Sequence, residues 1–167
     1  TWSISQTSAT VPEGTNAIYK VDLSGTFQEN ETASVDIALT DITTAPADYG
    51  NFIGAITAAV GAYAGPGTLT FDGTDTLTYT GGVGGTAMAT LCITLAANTD
   101  ALNESDEDFR IDLSNPTTTT GAPVNLGTAT VTTTIPEANV APTAVKDDFD
   151  ASFNVTEDNP GSVEGQD

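Results

Sequence analysis

The sequence predicts an all-β fold, a two-sheet antiparallel sandwich carrying one short inserted helix. Three observations predict it. Short apolar alternations recur, as in Tyr19-Lys20-Val21-Asp22-Leu23 and Leu91-Cys92-Ile93-Thr94-Leu95, and this is the period of a half-buried strand. Turn signals rich in Gly, Pro, Asn and Asp separate them, so about seven or eight short strands fit into one domain. The composition agrees, with aliphatics, small residues and Thr dominant, many Gly and few long charged side chains.

Taken in order, Trp2-Ser3-Ile4-Ser5 is a short opening strand whose Trp anchors a core or an edge. The turn Pro12-Glu13-Gly14 leads into a strand from Ala17 to Leu23, with Tyr19, Val21 and Leu23 on one face. After the polar turn Gln28-Glu29-Asn30-Glu31, a strand from Ala33 to Thr40 directs Val35, Ile37 and Leu39 inward. Between Asn51 and Tyr63 the period changes. Phe52, Ile56, Ala59 and Tyr63 recur at helical spacing, and Gly65-Pro66-Gly67 ends the pattern, so a short helix is expected to cap the sandwich end. Leu69 and Phe71, then Leu77 and Tyr79, flank the turn Asp72-Gly73-Thr74-Asp75 as a hairpin. Gly81-Gly82-Val83-Gly84-Gly85-Thr86 has the glycines of a phosphate loop but neither its Lys nor a following helix, and reads as a flexible hairpin. Ala89, Leu91, Ile93 and Leu95 make the next strand, in which Cys92 is expected as a buried, inert thiol. An acidic loop over 98–108 joins a strand over 109–114 with Phe109, Ile111 and Leu113 inward, and Asn115-Pro116 is expected to close it. A low-complexity turn from Thr117 to Gly121 follows. The last strand runs from Gly127 to Ile135, with Ala129, Val131, Thr133 and Ile135 on one face.

The charge balance excludes several functions. Among 167 residues there are 23 acids against three bases, for a formal net charge of −20. Phosphate neutralisation needs clustered Lys or Arg, so nucleic-acid binding is ruled out, and an anionic membrane surface repels such a chain. No apolar run is long enough for insertion into a membrane. With no His, there is no Ser-His or Cys-His nucleophile pair, and no enzymatic activity is expected. No signal peptide is visible and the first residues already read as part of a motif, so a piece of a longer protein is expected. The acidity reads either as a solvated, salt-adapted surface or as charge completed by bound cations. Asp100, Glu104, Asp106, Glu107 and Asp108 crowd into one loop. Calcium takes six to eight oxygen ligands and needs neither His nor Cys, whereas zinc prefers both; Ca2+ is therefore the cation this loop suits.

Three pieces stand in a familiar order: Val11-Pro12-Glu13-Gly14 with Tyr19 to Ser24, then Ala47-Asp48-Tyr49, then Glu104-x-x-Glu107-x-Phe109 leading to Leu113-Ser114-Asn115-Pro116. Together they resemble Calx-β domains, which occur in sodium–calcium exchangers and as tandem modules of giant RTX-type bacterial surface adhesins. The resemblance spans residues 1–137 and implies an Ig-like, Calx-β-like sandwich. It also implies that Glu13, Asp48, Asp100 and Glu104 meet at one end as calcium ligands, with Asp72 or Glu107 as additions. The family's last strand often ends in consecutive aspartates, but here Pro136-Glu137-Ala138-Asn139 stands there, which lowers the carboxylate count. Glu137 and Asn139, with Asp147 and Asp148, are then expected to serve an inter-module site. Residues 138–167 are expected as a linker and the truncated start of a following module, since Asp147-Asp148-Phe149-Asp150 and Phe153 to Asp158 resemble the opening of a cadherin-like module. The implied function is a calcium-stabilised extender module of a secreted adhesin at a bacterial cell surface, with neighbouring modules of the same chain as partners. The alternative is a module that binds a glycan or protein ligand through the inserted helix, the Gly-rich hairpin and the aromatics Tyr49, Phe52 and Tyr63. A regulatory calcium sensor is a third reading.

Overall fold

The computed structural model describes residues 1–99 and 104–137. Eight strands and one helix follow in the order β1 (Trp2–Gln6), β2 (Asn16–Leu23), β3 (Thr32–Asp41), α1 (Phe52–Gly61), β4 (Thr68–Phe71), β5 (Thr76–Thr80), β6 (Leu91–Ala96), β7 (Glu107–Thr118) and β8 (Thr130–Ile135). They form two sheets, ordered β1-β2-β6 and β4-β5-β3-β7-β8, with every named pair antiparallel. The fold is the expected two-sheet antiparallel sandwich with one short helix.

Alternation builds the core. β2 and β6 bury every second residue, so Ala17, Tyr19, Val21 and Leu23 face Leu91, Ile93 and Leu95 on one inner surface. The opposing sheet supplies Val35, Ile37, Leu77, Tyr79, Phe109, Ile111 and Leu113, and Trp2 is fully enclosed between the layers. Each large aliphatic or aromatic side chain removed from water stabilises the fold by about 1.5–3 kcal/mol. One polar chain crosses this core. The Tyr19 hydroxyl meets Thr133 Oγ1 at 2.7 Å, and Thr133 Oγ1 donates to Gln6 Oε1 at 2.9 Å, so β2, β8 and β1 are tied without an orphaned hydroxyl.

Both flanks of the sandwich are closed. On one, α1 packs against β6 and β4, the outer strands of the two sheets. Asn51 starts the helix by accepting the Gly54 N–H at 2.9 Å, and Phe52 and Ile56 are its buried face. The helix therefore covers a flank, not the sandwich end expected from its stripe, because the loops on either side attach it to two edge strands. On the other flank the Trp2 and Ile4 amides donate to the carbonyls of Asn125 and Thr128, the Val11 N–H donates to the Thr134 carbonyl, and the Thr134 N–H donates to the Ala9 carbonyl.

Four further expectations are corrected. Cys92 is exposed, because the inward positions of β6 are Leu91, Ile93 and Leu95, and the residue between them faces outward. Ala89 is likewise exposed and lies before the strand. Asn115-Pro116 does not end β7: the strand continues to Thr118 through a bulge between the pairs Asp36↔Ser114 and Ser34↔Thr117. Asn115 adopts φ 48° there, its Nδ2 donates to Asp36 Oδ2 at 2.8 Å, and Pro116 occupies a position where no ladder N–H is required. β8 begins at Thr130, three residues later than the pattern suggested. Among the described residues no helix is long and apolar enough to cross a membrane.

Candidate metal centre

The acidic end of the sandwich is assembled around the end of β6. On one side the Gly14 N–H donates to the Ala97 carbonyl at 2.9 Å and the Ala97 N–H to the Thr15 carbonyl at 2.8 Å, which fixes the turn carrying Glu13. Gly14 has φ +71°, and a side chain there would press on Thr99 Cγ2, so this turn requires glycine. On the other side the Asn98 N–H donates to the Asp48 carbonyl at 2.8 Å, Asn98 Nδ2 donates to the Ala47 carbonyl at 2.7 Å, and the Gly50 N–H donates to the Ala96 carbonyl at 2.8 Å. One strand end thus holds both the Glu13 turn and the Asp48 loop.

β7 brings the other carboxylates. Its first residue, Glu107, pairs with Ile135 of β8. The next residue locks the Asp48 loop in place: the Asp108 carbonyl accepts the amides of Ile42, Thr43 and Thr44 at 3.0, 2.9 and 3.3 Å, and the Asp108 N–H donates to Thr43 Oγ1 at 2.7 Å. Strand alternation sends the Asp108 carboxylate the opposite way from Glu107, onto the Thr134 hydroxyl at 2.6 Å. Of the crowded acids, Glu104 and Glu107 therefore turn toward Asp48, and Asp108 does not.

Carboxylate oxygens of Asp48, Glu104 and Glu107 lie within 4.8 Å of one another. Glu13, Asn98 and Thr99 line the same small cavity. Glu104 is exposed, and Asp48, Glu107 and Glu13 are half-buried. Glu137 flanks the group: its carboxylate accepts the Glu104 N–H at 2.5 Å, and its own N–H donates to Asp106 Oδ1 at 3.2 Å. Asp48 Oδ2 also accepts the Ala45 N–H at 2.5 Å.

The donor set fits a hard cation. It offers oxygen only, and since ligands of a calcium ion, each at 2.3–2.6 Å, lie no more than about 4.6–5.2 Å apart, oxygens that are all within 4.8 Å of one another can share one ion. Without a cation, each pair of charges at this separation repels by roughly 0.9 kcal/mol in bulk water and by roughly 3.5 kcal/mol at an effective dielectric constant of about 20. Nearby, burial raises the Tyr49 hydroxyl above the ordinary tyrosine range, reinforced by its hydrogen bond to Asp41 Oδ1 and by the charges of Asp41 and Asp48.

Of the residues expected here, Glu13, Asp48, Glu104 and Glu107 come together at this end, and Glu137, expected instead at an inter-module site, lies beside them. Asp72 does not. It sits in the β4–β5 turn, where Oδ1 accepts the amides of Thr74, Asp75 and Thr76 at 2.8, 3.0 and 3.1 Å, and these bonds hold its carboxyl below the ordinary range. Asp100, Asn139, Asp147 and Asp148 lie outside the described residues. The positioning parts played by Asn98 and the Asp108 peptide were not foreseen, because both act through backbone contacts between loops distant in sequence.

No family model matches the sequence, and no curated protein does. Among solved structures, the chain is similar to the apo-form Calx CBD1 domain, at 18% identity and a TM-score of 0.47, over 81% of this chain and 96% of that one. It is also similar to the Calx CBD2 domain, at 12% identity and a TM-score of 0.47, over 81% of this chain and 86% of that one.

Proposed function

We propose that this chain is a calcium-stabilised structural module of a secreted bacterial surface adhesin, joined in line to neighbouring modules of the same chain. The observation that carries the reading is the meeting of Asp48, from the loop between β3 and α1, with Glu104 and Glu107, from the segment entering β7, within 4.8 Å. The order of sequence motifs that resembles Calx-β domains supports it. So does the path of the chain: Trp2 lies beside Leu23, at the opposite end of β2 from the Glu13 turn, whereas β8 delivers Glu137 beside the carboxylates. A cation held at that end rigidifies the point from which the chain proceeds to 138–167. Those residues are read as a linker and the start of a following module.

Thermal melts in calcium and in chelator test this. At calcium near 100 times the dissociation constant, one site stabilises the fold by about 2.7 kcal/mol. Changing Asp48→Asn together with Glu107→Gln should abolish that response without lowering the melting temperature in chelator, since the pair repels when no cation is bound. A parent melting temperature indifferent to calcium overturns the proposal. The glycan-binding alternative gains no support from its aromatics: Phe52 is buried, and the Tyr49 and Tyr63 hydroxyls bond Asp41 and the Pro66 carbonyl.

A further inference from the structure

We propose that the edge of β3 beyond Ile37 is a strand-addition site for an extended peptide that carries Lys or Arg on one face and an apolar residue on the other. The site exists because two neighbouring strands differ in length. β3 has ten residues and β5 has five, and their register ends at Asp36↔Thr76. The Ile37 N–H makes one more bond on this side, to the Asp75 carbonyl at 2.8 Å. By the two-residue alternation of a strand, the N–H and C=O of Leu39 point the same way, and among the described residues no strand lies beside them. Unpaired strand edges of this kind accept an incoming chain.

Beside the edge runs a groove of 280 Å³ lined by Leu39, Tyr49, Phe52, Ile53, Thr74 and Asp75. An added strand would lie in line with β5. Its residue opposite Leu39 would cover Ile53, which is 36% exposed, and the neighbouring Tyr49 ring. Its alternate residues would face outward next to Ala38 and Thr40, and the one beside Ala38 would lie next to Asp75, whose carboxylate accepts the Thr76 hydroxyl at 3.0 Å. The groove lining contains no base, and Arg110, across β3 from it, is paired with Asp112 at 2.8 Å. Charge therefore selects a basic peptide, and the formal net charge of −20 disfavours a second copy of this chain as the occupant.

The test is an amide-resolved NMR titration of the whole chain in chelator, so that it is independent of calcium. The probe is acetyl-Lys-Val-Lys-Val-Lys-Val-Lys amide. Saturable shifts confined to residues 37–41, 49–53 and 74–75 are expected, with none from the same peptide made with Glu. Strand addition uses every second peptide N–H, so N-methylating one alternate set should weaken binding by about tenfold and the other set should not. Ile53→Glu and Asp75→Lys should each weaken it by about tenfold with melting unchanged, since both side chains face solvent. The proposal is overturned by an absence of saturable shifts. It is equally overturned by shifts spread over the acidic surface that ignore which set is methylated, because that is plain charge attraction.

Discussion

Asp72 and Tyr19 show what a single side chain contributes here. Asp72 caps a turn, and its carboxyl is held below the ordinary 3.8 by the turn amides. Its contribution is therefore present above pH about 4 and is lost as pH falls through the lowered folded value. Asp72→Ala should melt earlier than the parent at neutral pH, the two should converge in acid, and the calcium response should be untouched. Tyr19 behaves in the opposite sense. Burial raises its hydroxyl from 10.0 to about 12, partly offset by the bond to Thr133. The folded state thus favours the protonated form, so stability holds below pH 10 and falls between pH 10 and about 12, by about 1.4 kcal/mol per pH unit. Denaturant midpoints compared at pH 9 and pH 11 check this. Thr133→Val should cost about 1–3 kcal/mol in the same assay, because it leaves the buried Tyr19 hydroxyl without its partner.

At the scale of elements, α1 and β7 mark where sequence patterns suffice and where they stop. The stripe Phe52, Ile56, Ala59 and Tyr63 predicts a helix, and the helix is there. Ile56 is fully buried between it and the sandwich, so Ile56→Ala should destabilise by about 2–5 kcal/mol in a denaturant titration. Which surface the helix covers was not legible, because period reports a buried face and not its neighbour. Proline at 116 correctly marks a broken rung, yet β7 passes through it, since one bulge absorbs the missing N–H and the left-handed Asn115. Asn115→Val should lower the melting temperature clearly more than Asn115→Gly, because a β-branched residue resists φ 48°.

For the whole molecule, the described residues already form a core enclosed by both sheets and both flanks. A chain ending at Glu137 should then melt at the same temperature as the 167-residue chain. A markedly lower melting temperature would show that 138–167 contributes to the sandwich. The acidic end sits where three loops meet, and the Asp108 carbonyl bonds one of them to the start of β7. Rigidity at that end therefore depends on backbone contacts as well as on any cation.

The sequence by itself determined the strands, their inward faces, the helix and the sheet-forming class, because each follows from the local period of apolar side chains and from turn chemistry. It also determined that hard oxygen ligands were available and that no His stands in the chain to form a Ser-His or Cys-His pair. Only the tertiary structure decided which acids meet. Glu107 joins Asp48 and Glu104, while Asp72 is held by its own turn and Asp108 turns onto Thr134. Composition counts carboxylates along the chain. Their meeting depends on strand register and on the loop contacts of β6, which connect residues far apart in sequence, and no local pattern encodes them.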